Sequence, residues 1–370
     1  MSKIVFASIL KPVTDTRMYE KMAKTIVLHS SAVVHIIGHA IDLIPSKEEK
    51  INFHPIFQFK RISFARIFAW CTFIRMINVI KPQIIVVCTH ELLLPAVIYK
   101  MFNNKVQLIY DVQENYYLNI LYTNSFSSLL KYPLAVWVRA KEIVCASFIS
   151  HFILAETCFE IECKQMLNHQ KYTLLPNQYE GEICPKKPFE VGKGFNLVYS
   201  GTIGTSYGIW ETIVLTSKLY EIDAQISLII IGFSADVNLI VAIQKYIADK
   251  PYITLIGGNT LVPHQQIIET LKKADFAVLS YQFNKSVDKR IPTKLYECLA
   301  LRVPMLLPDY ASNWYKITQP YTAAIPIDFI HFNARELYTQ MLSTTFYEQE
   351  PAESVFQWNP QKLMDVFKLG

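Results

Sequence analysis

The chain has 370 residues, 51% hydrophobic and 18% charged, so it is a folded polypeptide long enough for two domains and not a disordered one. A net charge of +5 is too small for a nucleic-acid binder; it would suit an anionic small molecule or an anionic membrane surface. Only 11 residues are glycine, and eight of them lie between Gly192 and Gly258, which argues against a glycine-rich nucleotide loop after the first strand.

The predicted elements alternate in type along the chain. Lys3–Ile9 reads as a strand, Arg17–Val27 as a helix, Val33–Ile37 as a strand and Ile62–Val79 as a helix. Then come strand Ile84–Cys88, helix Leu92–Met101, strand Val106–Tyr110, the long helix Ser127–Ser147, and short strands Phe152–Ala155 and Thr173–Leu175. The stretch 181–195 holds two prolines, three glycines and three lysines and reads as a linker. Beyond it the alternation restarts, with strands at 196–200, 225–231, 253–256, 276–280 and 304–307 and helices at 208–219, 236–247, 263–272 and 293–301. The strands are almost wholly apolar, as strands buried on both faces of a parallel sheet are. The expectation is α/β, two Rossmann-like doubly wound domains facing across a cleft: 1–185, 186–345, and a C-terminal helical tail, 346–370, returning to the first domain.

Other features limit the function. The seven cysteines include no C-x-x-C pair and read as reduced thiols, which fits a cytoplasmic protein. The opening Met1–Phe6 reads as a strand, not a signal peptide, and no stretch reads as a membrane span. No metal-ligand spacing occurs. Lys60–Lys81 mixes five cations with aromatic residues; it reads as a core helix with basic ends, a membrane-surface helix being the other reading.

Three places carry candidate chemistry. Arg290-Ile-Pro-Thr-Lys-Leu-Tyr-Glu297 reads as a helix start. Pro292 and Thr293 begin the helix, whose N-terminal N–H groups and dipole favour an anion; Lys289, Arg290 and Lys294 add charge, and Glu297, one turn on, suits a ribose diol. A plain helix start with surface charges is the competing reading. Val198–Gly208 runs from a strand into a turn with Gly201, Thr202 and Gly204. It fails the G-x-G-x-x-G fingerprint but would still make a phosphate loop, or an ordinary turn. In the first domain His90 ends one strand, and Gln113 and Glu114 follow another, where a doubly wound sheet places its ligands; His90 would hydrogen-bond a sugar hydroxyl, a purely structural histidine being the competing reading. Asp15 and Arg17 follow the first strand and read equally as a helix cap and a first-turn residue.

In this order the motifs resemble the retaining glycosyltransferases of the GT-B fold, family 4. Leu10–Met18 resembles that group's first loop, and Cys88-Thr-His90 its sugar-facing histidine strand. Tyr110-Asp-Val-Gln-Glu114 resembles Y-D-x-H-E, Leu175-Pro-Asn177 the segment before the linker, and Ser200-Gly-Thr the opening of the donor domain. Pro292–Glu297 with Pro304 resembles P-x-K-x-x-E-x-x-x-x-G-x-P. The resemblance implies a hexosyltransferase with no cofactor and no metal, working in surface polysaccharide synthesis. A nucleotide-diphosphate sugar would sit on Gly201, Thr202, Gly204, Lys289, Arg290, Pro292, Thr293 and Glu297, with His90 and Lys294 catalytic. A glycan or lipid-linked acceptor would meet Asp15, Arg17, Gln113 and Glu114. Such a protein would be cytoplasmic, with peripheral contact on an anionic membrane as a further partner. The chain departs from the pattern at Lys289 (a Glu in the family), Thr202 and Tyr207 (Arg and Lys), Gln113 (His) and Arg302 (Gly). A nucleotide-sugar 2-epimerase and a non-catalytic GT-B scaffold are the alternatives.

Overall fold

The structure is a computed structural model that describes residues 1–40, 48–59, 66, 68–122, 126–185, 194–285 and 289–368. The chain divides into two compact units, Met1–Asn177 with Trp358–Gly370, and Gln178–Gln357.

The first unit is built on seven parallel strands: β1 (Lys3–Pro12), β2 (Val33–His39), β3 (Ile51–Phe57), β4 (Ile84–Val87), β5 (Gln107–Val112), β6 (His151–Leu154) and β7 (Tyr172–Leu174). Their order is β3-β2-β1-β4-β5-β6-β7. β1 shows why the sheet is parallel and covered on both sides. Ile4 and Phe6 enter one core with Val34 and Ile36, while Val5, Ala7 and Ile9 enter the other with Ile85 and Val87. The helices are α1 (Lys24–His29), α2 (Ala69–Ile80), α3 (Leu93–Phe102), α4 (Tyr116–Tyr122), α5 (Ser128–Ala146), α6 (Phe159–Glu162) and α7 (Lys164–Leu167). The helix expected at Arg17–Val27 begins as a π-helix, Thr16–Ala23, and continues into α1. That expected over Ile62–Val79 is seen as α2, and its residues 62–65 and 67 lie outside the described ones. β3 was not foreseen. It is an edge strand containing Asn52, His54 and Pro55, a composition that only an edge tolerates.

The second unit has six parallel strands: β8 (Asn196–Thr202), β9 (Ser227–Phe233), β10 (Ile253–Gly258), β11 (Phe276–Val278), β12 (Met305–Pro308) and β13 (Ala324–Ile327). Their order is β10-β9-β8-β11-β12-β13, the same winding as in the first unit. Its helices are α8 (Ile209–Tyr220), α9 (Val237–Ile247), α10 (His264–Leu271), α11 (Thr293–Leu301), α12 (Ser312–Thr318), α13 (Ala334–Ser343) and α14 (Glu353–Phe356); α15 (Pro360–Phe367) lies in the tail that belongs to the first unit.

The boundaries fall at 177/178 and 357/358, not at 185/186 and 345/346. Backbone contacts explain the first shift. Tyr179 N–H donates to the Phe356 carbonyl (2.7 Å), and Cys184 N–H to that of Ala300 (3.1 Å), so the start of the expected linker is tied into the second unit. Phe346, Tyr347 and Phe356 belong to the core of the second unit. The tail beyond them packs on the first unit. Trp358 Nε1 donates to Thr25 Oγ1 (3.2 Å), and Phe367 meets the ring of Phe6.

Candidate functional site

In a doubly wound sheet the winding reverses between two central strands, and ligands bind outside their carboxyl ends. Here the reversals lie between β1 and β4 and between β8 and β11. The candidate residues collect at these two places.

In the second unit Gly201, the next-to-last residue of β8, has a φ of +88°. A Cβ on Gly201 would come within 2.7 Å of Lys294 Cε, so the glycine leaves the space in which the lysine lies. Lys294 is the second residue of α11, entered through Pro292. Its Nζ lies 5.0 Å from the centroid of the Tyr199 ring and 5.2 Å from that of Tyr281, a cation–π arrangement on two rings. Desolvation lowers its pKa to about 8, against the opposing pull of Glu297. The positive end of the α11 dipole lies at the same place. Glu297, one turn further along, is 5% exposed, and its Oε1 is 2.9 Å from His264 Nε2 at the start of α10.

The loop after β8 is fixed to the end of β11. Gly208 adopts φ +74°, and a Cβ there would lie 1.7 Å from the Ser280 carbonyl oxygen. Ser280 Oγ donates to the Gly208 carbonyl (2.6 Å), and Gln282 N–H to that of Ser206 (3.0 Å). Tyr199 spans the loop, its hydroxyl donating to the carbonyls of Thr202 (2.8 Å) and Tyr207 (3.2 Å). Thr202 is exposed at the strand end, and Gly204 caps the short helix Thr205–Tyr207. Lys289 is exposed in the turn before α11. Arg290 is half-buried, its carbonyl accepting from Trp314 Nε1 (2.6 Å); Pro292 and Thr293 are half-buried at the helix start.

In the first unit His90 follows β4 and opens a short helical turn into α3. Its Nδ1 lies 2.7 Å from Lys141 Nζ, which can only donate; Nδ1 is therefore the acceptor and the ring proton is on Nε2. Burial, with the charges of Lys141 and Arg66, holds the His90 pKa well below the usual value, so the ring is neutral at pH 7. Its edge meets Tyr116, with the ring centroids 4.5 Å apart.

Asp15 caps the first helix, accepting from the N–H groups of Arg17 (3.1 Å) and Met18 (3.0 Å). Arg17 is 2% exposed and pairs with Asp111 through Nε (3.0 Å) and Nη2 (2.8 Å), a bond between the first helix and β5. Gln113 links the two sides of this cluster, donating to Asp111 Oδ2 (2.5 Å) and accepting from Lys11. Glu114 accepts from Asn119 Nδ2 (2.7 Å). Asp15 and Arg17 thus have intramolecular roles as cap and ion-pair partner.

The structure brings Gly201, Lys294 and Glu297 of the second unit into one neighbourhood and adds residues not singled out from sequence: Tyr199, Tyr281 and His264 there, and, separately, Lys141 beside His90 in the first unit. Tyr199 and Tyr281 follow the apolar run of strand ends, a weak signal; His264 and Lys141 lie on predicted helices, but nothing local marks their partners. Among the described residues no group of three or more His, Cys, Asp or Glu could hold a metal ion, and no helix is long and apolar enough to cross a membrane.

No family model matches the chain, and no curated protein matches its sequence. Solved structures do match it. Sucrose-phosphate synthase from Thermosynechococcus elongatus aligns with a TM-score of 0.71 at 11% identity, covering 100% of this chain and 98% of that one. Anabaena HepE, solved in complex with UDP and glucose, aligns at 0.63 and 11% identity, covering 100% and 98%. A Listeria monocytogenes chain described as a UDP-N-acetylglucosamine 2-epimerase aligns at 0.58 and 12% identity, covering 99% and 94%. These likenesses, with the two sheet orders, define the fold: two Rossmann-like units of the GT-B type.

Proposed function

We propose that the protein is a glycosyltransferase that takes a hexose from a nucleotide-diphosphate sugar and moves it, with retention, to a glycan or glycolipid of a surface polysaccharide pathway. The observation that carries this reading is Lys294, seated over Gly201 between Tyr199 and Tyr281 at the start of α11, with Glu297 one turn away. An ammonium and a helix N-terminus suit a diphosphate, and a buried carboxylate suits the ribose hydroxyls. Likeness to a chain solved with UDP and glucose supports the same assignment.

In this reading the second unit holds the donor and the first the acceptor. The bond between the anomeric carbon and the diphosphate oxygen breaks with its electron pair going to the diphosphate. Lys294 and the α11 dipole stabilise that charge, so the reading calls for no metal. The acceptor oxygen attacks from the leaving-group face, and its proton passes to the departing phosphate. Neutral His90 offers a hydrogen bond to a sugar hydroxyl and does not act as an imidazolium acid. Lys289 and Arg290 supply further charge where the family's donor-loop cations are replaced by Thr202 and Tyr207.

The epimerase alternative shares the fold with the Listeria chain. A panel of nucleotide sugars, incubated with the protein and followed by proton NMR, separates the two. Slow release of a hexose as the α-anomer from an α-linked donor is the expected result. Interconversion of 2-epimers would replace this reading with an epimerase, and an unchanged panel would leave a binding protein.

A further inference from the structure

α5 turns charged side chains toward the protein and apolar ones outward. Arg139 Nη2 donates to Asn115 Oδ1 (2.7 Å), Lys141 Nζ to His90 Nδ1 (2.7 Å), and Glu142 Oε1 accepts from the Tyr110 hydroxyl (2.9 Å). The exposed residues of α5 from Leu129 to Val144 are all apolar or aromatic, with Leu129, Trp137 and Val144 exposed by 87%, 62% and 68%. The outward side of α2 carries Thr72, Arg75 and Asn78 instead, as the solvated side of a helix does. A face of this extent on α5 marks an interaction surface.

Shape, area and charge point to a second copy of the chain as its occupant. Leu129, Pro133, Val136, Ala140 and Ile143 follow one another at steps of four and three, the spacing by which one helix seats its side chains between those of another. Beside this seam lies a groove of about 660 Å³ whose lining includes Val136, Ala140, Ile143 and Ile161, with room for the ridge of a facing helix. The exposed side chains of α5 together present on the order of 800 Å² of apolar surface, the share that one partner gives to an interface of standard size. The seam carries no charge. On the groove lining Arg139 is paired with Glu142 (3.3 Å), which leaves Glu162 and Lys164 with opposite signs. A copy laid on this face therefore meets no field of like charge.

We propose that α5 is the contact of a two-fold dimer in which the Leu129–Ile143 seam of one copy packs against the same seam of the other. Such an interface is self-complementary by symmetry, and one patch serves both sides of it. Tyr132, Trp137 and Val144 flank the seam and exclude water from it, the place where aromatic residues contribute most to an interface.

The test is sedimentation velocity of the full chain. Wild type should sediment as a dimer at about 10 μM, near the weak end for an interface of this size. Val136→Glu and Val136→Lys each place like charges against each other across the two-fold and should raise the dimer dissociation constant by at least about tenfold. An equimolar mixture of the two variants should restore the dimer, because opposite charges then meet. Should either variant misfold, Ala140→Cys treated with a short bismaleimide should give a covalent dimer in a yield that wild type, with its exposed Cys71, does not reach. Wild type that stays monomeric at about 100 μM, or a Val136→Glu chain that dimerises as wild type does, would overturn the proposal. A monomeric wild type that floats with phosphatidylcholine vesicles would overturn it as well and assign the face to a bilayer.

Discussion

At Lys294 an ammonium group lies against two tyrosine rings, and burial brings its pKa from an ordinary 10.5 down to about 8. Below pH 8 the lysine is charged in both folded and unfolded chains, and the penalty for burying the charge is fully present. Between about pH 8 and 10.5 the folded protein has released a proton that the unfolded chain retains, so stability rises with pH across that window. Lys294→Met, which keeps the length and removes the charge, should therefore stabilise the second unit at pH 7 by about 1–3 kcal/mol and flatten the rise above pH 8. Thermal melts at pH 7 and pH 10 check this, and a variant less stable at pH 7 would show that the ammonium is a structural asset. Arg17 shows the opposite balance. Its charge is matched by Asp111, so a residue readable as a sugar contact is bound internally instead.

At the scale of elements, the site depends on how the turn after β8 is held to the end of β11. Gly208 is the tightest point, with a left-handed backbone and the Ser280 carbonyl where a Cβ would go. Gly208→Ala should cost more than about 1 kcal/mol and displace the loop, weakening nucleotide binding along with stability. Denaturant titration paired with a binding assay checks both, and an unchanged midpoint would mean that the loop relaxes freely. The strands were legible because β1, β4, β8 and β9 are apolar on both faces, and the α11 start because Pro292 marks it. β3 and β13 were missed because both are edges, where His54, Pro55 and Pro326 break the pattern. The His264–Glu297 and Lys141–His90 pairs join residues 33 and 51 positions apart, and no local spacing encodes them.

At the scale of the molecule, two units wound in the same strand order each bring polar residues to the point where the winding reverses. Glycine follows that division: the second unit's strand ends carry it at 201, 232, 257 and 258, whereas the first unit's β1 and β4 end without it. The restart of strand–helix alternation made both units legible in the sequence. Their boundaries were not, because 178–184 and 346–357, irregular apart from the single turn of α14, are held by backbone hydrogen bonds and buried aromatic rings of the second unit. The central claim is that Lys294 is the charge that binds a diphosphate. Calorimetry of UDP binding from pH 7 to pH 9.5, with wild type and Lys294→Met, tests it most directly. A bound anion favours the protonated lysine, so wild-type affinity should fall as pH rises through about 8, with proton uptake on binding at that pH, and the variant should bind at least about tenfold more weakly with no such uptake. Equal binding by the variant, or affinity independent of pH in the wild type, would contradict the claim.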